Sequence, residues 1–267
     1  LSTEKLDNFK ESGDYIQSLD RGLQVIQAFS QNNKTLTISD VSKITGLSRP
    51  TARRILLTLE HLGFAEANNG LFSLTARTLS LGYAYLSSNN KWSIAHPFMR
   101  DFVHKTGESC SISILDGTDI IYVARVSTKR IMSINLDVGS KLPAYATSMG
   151  HVLLANLSQE KLEKYLNNLH LKKFTDKTIV DKDQLRMTLE EVRANNWGGV
   201  DQQFEEGLRS IATPIRDING KVIAAINCSA HAGRISKEVL IKEFLPILQE
   251  NASRISEAMN IVNSSNN

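Results

Sequence analysis

The stretch "LSRPTARRILLTLEHLGF" (residues 47–64) sets Arg49, Arg53 and Arg54 beside Ser48, Pro50 and Thr51, just ahead of a leucine-rich stripe. Guanidinium groups so grouped suit a polyanion: they clamp phosphates and pair in fork geometry with guanine O6 and N7 in the DNA major groove. Arg53 and Arg54 are read as base-edge candidates. Ser48, Arg49 and Thr51 lie nearer the DNA backbone, and Pro50 belongs to the same DNA-binding turn. The plainer reading of such a cluster is a solvated helix face.

Other chemistry finds little support. The six histidines are scattered and form no H-E-x-x-H, and the two cysteines, Cys110 and Cys228, make no close-spaced metal or redox motif. They read as structural thiols, Cys228 as a packing residue. No G-x-S-x-G elbow and no G-x-x-x-x-G-K-[ST] loop occurs. No metal, no cofactor and no enzymatic activity are therefore expected. The hydrophobic fraction of 41% and charged fraction of 22% are those of an ordinary globular protein. No apolar run reaches the roughly 18 residues of a membrane span, and the polar start "LSTEKLDNFKESGDYIQ" lacks a signal peptide's apolar run, so no membrane partner and a cytoplasmic location are expected. The net charge is only +3, yet seven basic residues face four acidic ones between Tyr15 and Ser80, so the basic excess is local to the N-terminal part.

The elements that would position the arginines can be read from spacing. Residues 1–14 are charged and aperiodic. In "SLDRGLQVIQAFS", Ser18 can cap a helix that carries Leu19, Leu23, Ile26 and Phe29 on one face. "TISDVSKITGLS" predicts a short helix with Val41 and Ile44 inward, stopped by Gly46. Ser48 then caps a second helix, Pro50 sits in its first turn where an N–H has no partner, and Ala52, Ile55, Leu56, Leu59 and Leu62 share its inner side. Arg53, Arg54 and Leu57 lie broadly opposite. "FAEANNGLFSLT" reads as two strands about an Asn68-Asn69-Gly70 turn. Two helices joined at a glycine and followed by a hairpin make a winged helix-turn-helix. Leu57 could touch a thymine methyl, but packing on the wing is favoured.

Beyond it, "TARTLSLGYAYLSS" predicts a helix with Leu79, Leu81 and Tyr83 free to pack, and another helix is expected over 94–106. Strands are expected at "SCSISIL", "DIIYVARV" and "IMSINL", the first two joined at Asp116-Gly117. Helices follow at 159–168 and 183–195. Strands at "SIATPIRD" and "KVIAAINCSA" turn at Asp217-Ile218-Asn219-Gly220, and a helix over about 236–262 closes the chain. The fold class is α+β and multidomain: winged helix over 15–76, linker helix over 77–90, antiparallel-sheet domain over 91–264.

With these pieces in order, the chain resembles the IclR family of bacterial transcription regulators. "SLDRGLQVIQAF", "TISDVSKITGLSRPTARRILLTLEHLGF" and "FSLTARTLSLG" are similar to its winged helix and linker. "LPAYATSMGHVLLA" and "EEGLRSIATPIRDINGKVIAAINCSA" are similar to its C-terminal signatures. "RIMSINLDVGSKLPAYATSMG" resembles the branch that controls protocatechuate, p-hydroxybenzoate and β-ketoadipate catabolism. His151 departs from the pattern, where the family more often carries Arg or Lys. The resemblance implies a regulator that binds double-stranded operator DNA as a dimer or dimer of dimers. Its C-terminal domain would be a GAF-like sensor for one of those organic acids. A C-terminal domain that only oligomerises and binds no ligand is the alternative.

A buried carboxylate needs a cation or several N–H donors. Arg125, alone at the end of the apolar strand "DIIYVARV", is the chosen clamp, an ion pair being its plainer role. Ala146, Thr147, Ser148, Met149 and Gly150 supply small side chains, hydroxyls and a helix start. Alternation in "AAINCSA" turns Asn227 and Ser229 to one side as polar lining and Cys228 to the other. Tyr145 is a candidate to stack on or hydrogen-bond an aromatic ligand, or ordinary core. Asp201 lies in the loop that the resemblance places near the pocket, or is an exposed loop acid.

Overall fold

The computed structural model describes residues 9–10, 12–30, 33–88, 91–128 and 136–265. They fall into two compact units, Leu1–Ser88 and Asn89–Asn267.

The first unit packs α1 (Gln17–Gln27), α2 (Ile38–Thr45) and α3 (Arg49–His61) against a hairpin of β1 (Ala65–Asn68) and β2 (Leu71–Leu74), and α4 (Leu79–Ser88) ends it. Thr37 and Asp40 close a reciprocal capping box on α2, Thr37 N–H donating to Asp40 Oδ2 at 3.0 Å and Asp40 N–H to Thr37 Oγ1 at 3.2 Å. Gly46 ends that helix at φ +70°, a conformation that costs glycine nothing. Asn69 and Gly70, both at positive φ, form the tight turn of the wing, and Leu36 bridges to Phe72 as a further pairing. Val25, Val41, Ala52, Leu56, Leu59 and Phe72 make the core.

Several helix-face expectations need correction. α1 begins at Gln17 with Ile16 at the cap position and no side-chain cap, so Ser18 does not cap it. Its buried residue is Val25, while Leu19 and Leu23 are exposed. Ile44 and Leu62 are exposed as well, and Leu57 is exposed and outside the buried cluster. Helical spacing found the inner side of α3 but left out Val25, the residue that α1 buries, because only packing decides which side a neighbour covers.

The second unit is an antiparallel sheet ordered β5-β4-β3-β8-β7-β6. Its strands are β3 (Ser109–Asp116), β4 (Asp119–Val126), β5 (Lys141–Pro143), β6 (Gly198–Asp201), β7 (Leu208–Arg216) and β8 (Val222–His231). One face packs on α5 (Lys91–Thr106) and on the closing helix, which starts at Lys237–Val239, widens to a π-helix over Leu240–Phe244 and continues as α9 (Leu245–Ser265). The other packs on α6 (Ser148–Ala155), α7 (Gln159–Asn168) and α8 (Lys182–Asn195). The third strand expected at "IMSINL" lies outside the described residues except for Leu136. The short strands β5 and β6 gave no period to read.

The wall of α6 explains the site's geometry. All eight of its residues are buried. A Cβ on Gly150 would stand 1.9 Å from the Ala144 carbonyl oxygen, so only glycine lets these backbones meet. A bulge between Ile112 and Ser113 sets Tyr122 opposite Ser113 and Arg125 opposite Ser111. Tyr122 and Arg125, three residues apart, thus project from the same side of β4.

Candidate functional site

The DNA-facing candidates sit at the start of α3. Ser48 Oγ accepts the Thr51 N–H at 3.4 Å and lies 2.9 Å from Thr51 Oγ1, which seats Pro50 in the first turn. No acidic residue stands in that turn. Arg49, Arg53 and Arg54 are exposed, and none has an ion-pair partner among the described residues. The two adjacent arginines diverge, however. Arg54 lies with Thr51, Ile55 and Thr58 along a groove walled by Leu19, Leu23 and Ile26 of α1. Arg53 lies off that groove, one helical turn from Arg49. Spacing puts Arg53 and Arg54 together on one face; the groove takes only Arg54.

In the second unit a cavity opens on the α6 side of the sheet. It is lined by Arg125 and Tyr122 of β4, Ala146–Met149 leading into α6, and Asn227 and Ser229 of β8. Ser210 of β7 and the loop residues Gln203, Phe204 and Glu205 complete much of its wall. Seven residues named from sequence thus meet in one place: Arg125, Ala146, Thr147, Ser148, Met149, Asn227 and Ser229.

The polar groups are held in position. Arg125 Nη1 donates to Ser111 Oγ at 3.0 Å, and the guanidinium has no carboxylate partner among the described residues. Asn227 accepts the Ser111 N–H at 3.1 Å and donates to Ser229 Oγ at 3.0 Å. Thr147 caps α6, its Oγ1 accepting the Gly150 N–H at 3.1 Å. Ser148 and Ser210 share a hydrogen bond of 2.9 Å. The opening turn of α6 therefore brings backbone N–H groups to the cavity wall, where an anion is favoured. Burial pushes the Tyr122 phenol up to about 12, against a smaller opposing pull from Arg125, so it is a neutral O–H at ordinary pH.

Three named residues lie off the lining. Tyr145 is buried with its hydroxyl engaged, donating to the Lys172 carbonyl and accepting the Lys172 N–H, both at 2.8 Å. Gly150 serves the close approach to Ala144. Asp201 pairs with Arg209 at 2.6 Å and with Lys177 at 3.5 Å. Burial would raise its pKa, but these cations and the hydrogen bond from Gln202 hold it below the usual carboxylate range. The cavity residues that sequence reasoning missed are chiefly Tyr122 and, in the loop already placed near the pocket by resemblance, Gln203, Phe204 and Glu205 in place of Asp201. The bulge hid the first, and the loop has no periodicity to tell its residues apart.

The cavity is small, with about 30 Å³ free, room for water but not for a benzoate ring. An aromatic ligand would have to displace part of the wall, and Gln203 and Phe204 lie on a loop segment of it.

The family model described as "IclR helix-turn-helix domain" matches residues 18–68, and "Bacterial transcriptional regulator IclR C-terminal" matches residues 83–257. The Pca regulon regulatory protein of Pseudomonas putida is 42% identical, covering 92% of this chain and 84% of its own. The p-hydroxybenzoate hydroxylase transcriptional activator of Acinetobacter baylyi is 34% identical over 91% of each. A putative transcriptional regulator from Rhodococcus sp. RHA1 matches with TM-score 0.79 and 47% identity, over 93% of this chain and all of its own. An IclR homolog from Microbacterium hydrocarbonoxydans, solved with 4-hydroxybenzoate, has the same fold at TM-score 0.77 and 24% identity, over 92% of this chain and all of its own. An unpaired arginine row on a capped helix before a wing, joined in one chain to a sheet domain, therefore has its place: the chain belongs to the IclR family of DNA-binding bacterial transcription regulators.

Proposed function

We propose that this protein regulates genes of aromatic-acid catabolism in the protocatechuate–β-ketoadipate group, in the cytoplasm of a bacterium. It binds double-stranded operator DNA through the Ser48–Arg53 side of α3. A small organic acid binds in the cavity beside Arg125. The observation that carries the effector half is the Arg125 guanidinium on that wall with no carboxylate partner among the described residues. An unpaired buried carboxylate is costly, and a fork of N–H donors removes the cost. The relatives named for the Pca regulon and for p-hydroxybenzoate hydroxylase support the choice of genes, and the homolog solved with 4-hydroxybenzoate supports an aromatic acid as the ligand.

Homo-oligomerisation belongs to the same reading. Leu19 and Leu23 of α1 with Leu62 leave an apolar strip open, and on α4 Leu79, Leu81 and Tyr83 are exposed. Such patches mark contact surfaces.

Calorimetric titration with protocatechuate, p-hydroxybenzoate and β-ketoadipate tests the effector half. At least one acid should bind the native protein, and Arg125→Ala should weaken it at least about tenfold, the worth of a charge-assisted hydrogen bond, while operator binding by the free protein stays intact. Unchanged affinity in a folded variant would make Arg125 structural. No heat with any of the acids would favour a C-terminal domain that only oligomerises.

A further inference from the structure

Gln203 stands apart from the other polar residues of the cavity wall. It lines the cavity, yet its side-chain oxygen Oε1 is buried and has no hydrogen-bond partner among the described residues. A buried acceptor without a donor is costly, and native structures rarely keep one without a reason.

The loop that carries it is not slack. Thr175 Oγ1 donates to the Gln202 carbonyl at 2.6 Å, and Thr178 Oγ1 donates to the Gln203 carbonyl at 2.7 Å. The Gln202 N–H is bonded to the Leu208 carbonyl at 2.7 Å, and the Phe204 ring lies 4.8 Å from that of Phe174. The backbone of Gln203 is thus pinned where the residue lines the cavity.

The other polar groups divide the labour. Arg125 is a donor only and suits a carboxylate. A carboxylate placed against Gln203 Oε1 would set acceptor against acceptor. That oxygen requires an O–H or N–H. The hydroxyl of Tyr122, a buried residue of the same wall, can donate or accept.

We infer that Gln203 reads a hydroxyl group on the effector, so that the site selects hydroxy-substituted carboxylic acids over unsubstituted ones, with the carboxylate at Arg125 and the hydroxyl donating to Gln203. The inference rests on the cavity being the effector site and deepens that reading.

Gln203→Leu keeps the size and removes the acceptor. Both proteins are titrated calorimetrically with benzoate, 3-hydroxybenzoate, 4-hydroxybenzoate and 3,4-dihydroxybenzoate, and their unfolding temperatures are measured without ligand. The native chain should bind the best hydroxylated acid about tenfold or more above benzoate, because a site built for a hydroxyl rejects the analogue lacking it. Gln203→Leu should close that gap through weaker binding of the hydroxylated acid, with benzoate unchanged. Its unfolding temperature should not fall, since an unpaired acceptor has been replaced by an apolar group. A gap that survives in the variant overturns the assignment. So does a loss on benzoate alone, which would mean that the amide faces the ligand with its N–H₂. If none of the four acids binds the native chain, the effector reading beneath the inference has failed as well. That result is distinct from failure at Gln203, where acids bind and the gap persists.

Discussion

Arg53 and Arg54 are neighbours in sequence with different surroundings. Arg54 lies in the groove beside α1, and Arg53 lies off it. Arg53→Ala should therefore cost operator binding about 1–3 kcal/mol and relax sequence discrimination, whereas Arg54→Ala should cost less and leave discrimination intact. Binding measured on operator and on scrambled DNA checks this, and equal loss on both for Arg53→Ala would defeat base reading. His151 poses a different problem. It is fully buried, its Nε2 lies 2.6 Å from the Tyr145 carbonyl, and Nδ1 has no partner among the described residues. A carbonyl only accepts, so Nε2 holds the proton and Nδ1 a bare lone pair. Protonation there would bury a charge, and burial depresses the pKa below 6.5 despite the hydrogen bond to Tyr145. The unfolded chain thus binds the proton first as pH falls. The neutral imidazole's contribution to stability is complete above about pH 6.5 and drains away below it, toward the lower folded value, at no more than about 1.4 kcal/mol per pH unit. Imidazole resonances followed by NMR should give His151 a midpoint below 6.5. A midpoint at or above that value would show a partner for Nδ1.

Among the elements, α6 is the one whose fit leaves least room. Its start supplies Thr147, Ser148 and Met149 to the cavity, and its position depends on Gly150 meeting the Ala144 carbonyl. Gly150→Ala forces a Cβ against backbone, which cannot swing aside as a side chain would. It should destabilise the protein by about 1–3 kcal/mol and weaken effector binding together with it. Denaturant unfolding and titration of the same variant check both. A stable variant with native affinity would mean that α6 can shift freely. The 203–205 loop is the complementary element: the cavity's 30 Å³ must grow before an aromatic acid enters. Displacing Phe204 from Phe174, or stretching the threonine hydrogen bonds, is the available route.

At the scale of the molecule, the candidate DNA surface and the candidate acid site lie in different compact units, so effector response is a coupling between them. A two-fold assembly would read inverted or repeated half-sites. The open strip of Leu19 and Leu23 on α1 is the surface to test. Leu23→Glu should lower the oligomeric state in sedimentation and reduce affinity for a two-half-site operator far more than for a single half-site. An oligomer of native size in that variant would put the interface elsewhere.

Some of this was determined by sequence alone. The capped start of α3, the glycine stop before it, the Asn-Gly wing turn and the alternation that turns Asn227 and Ser229 together are local, each set by a residue's own φ, cap or period. Apolar spacing likewise marked Ala52, Leu56 and Leu59 as the inner side of α3. What only the tertiary structure decided depends on partners far along the chain. Whether Val25 or Leu19 is covered, and whether Arg54 keeps company with Arg53, follow from how helices pack. The cavity gathers β4, α6, β7, β8 and a loop without period, and a one-residue bulge brings Tyr122 beside Arg125. Gly150 matters because Ala144 is against it, and Gln203 because its buried oxygen has no hydrogen-bond partner among the described residues. Neither fact is local, so no window of sequence contains it.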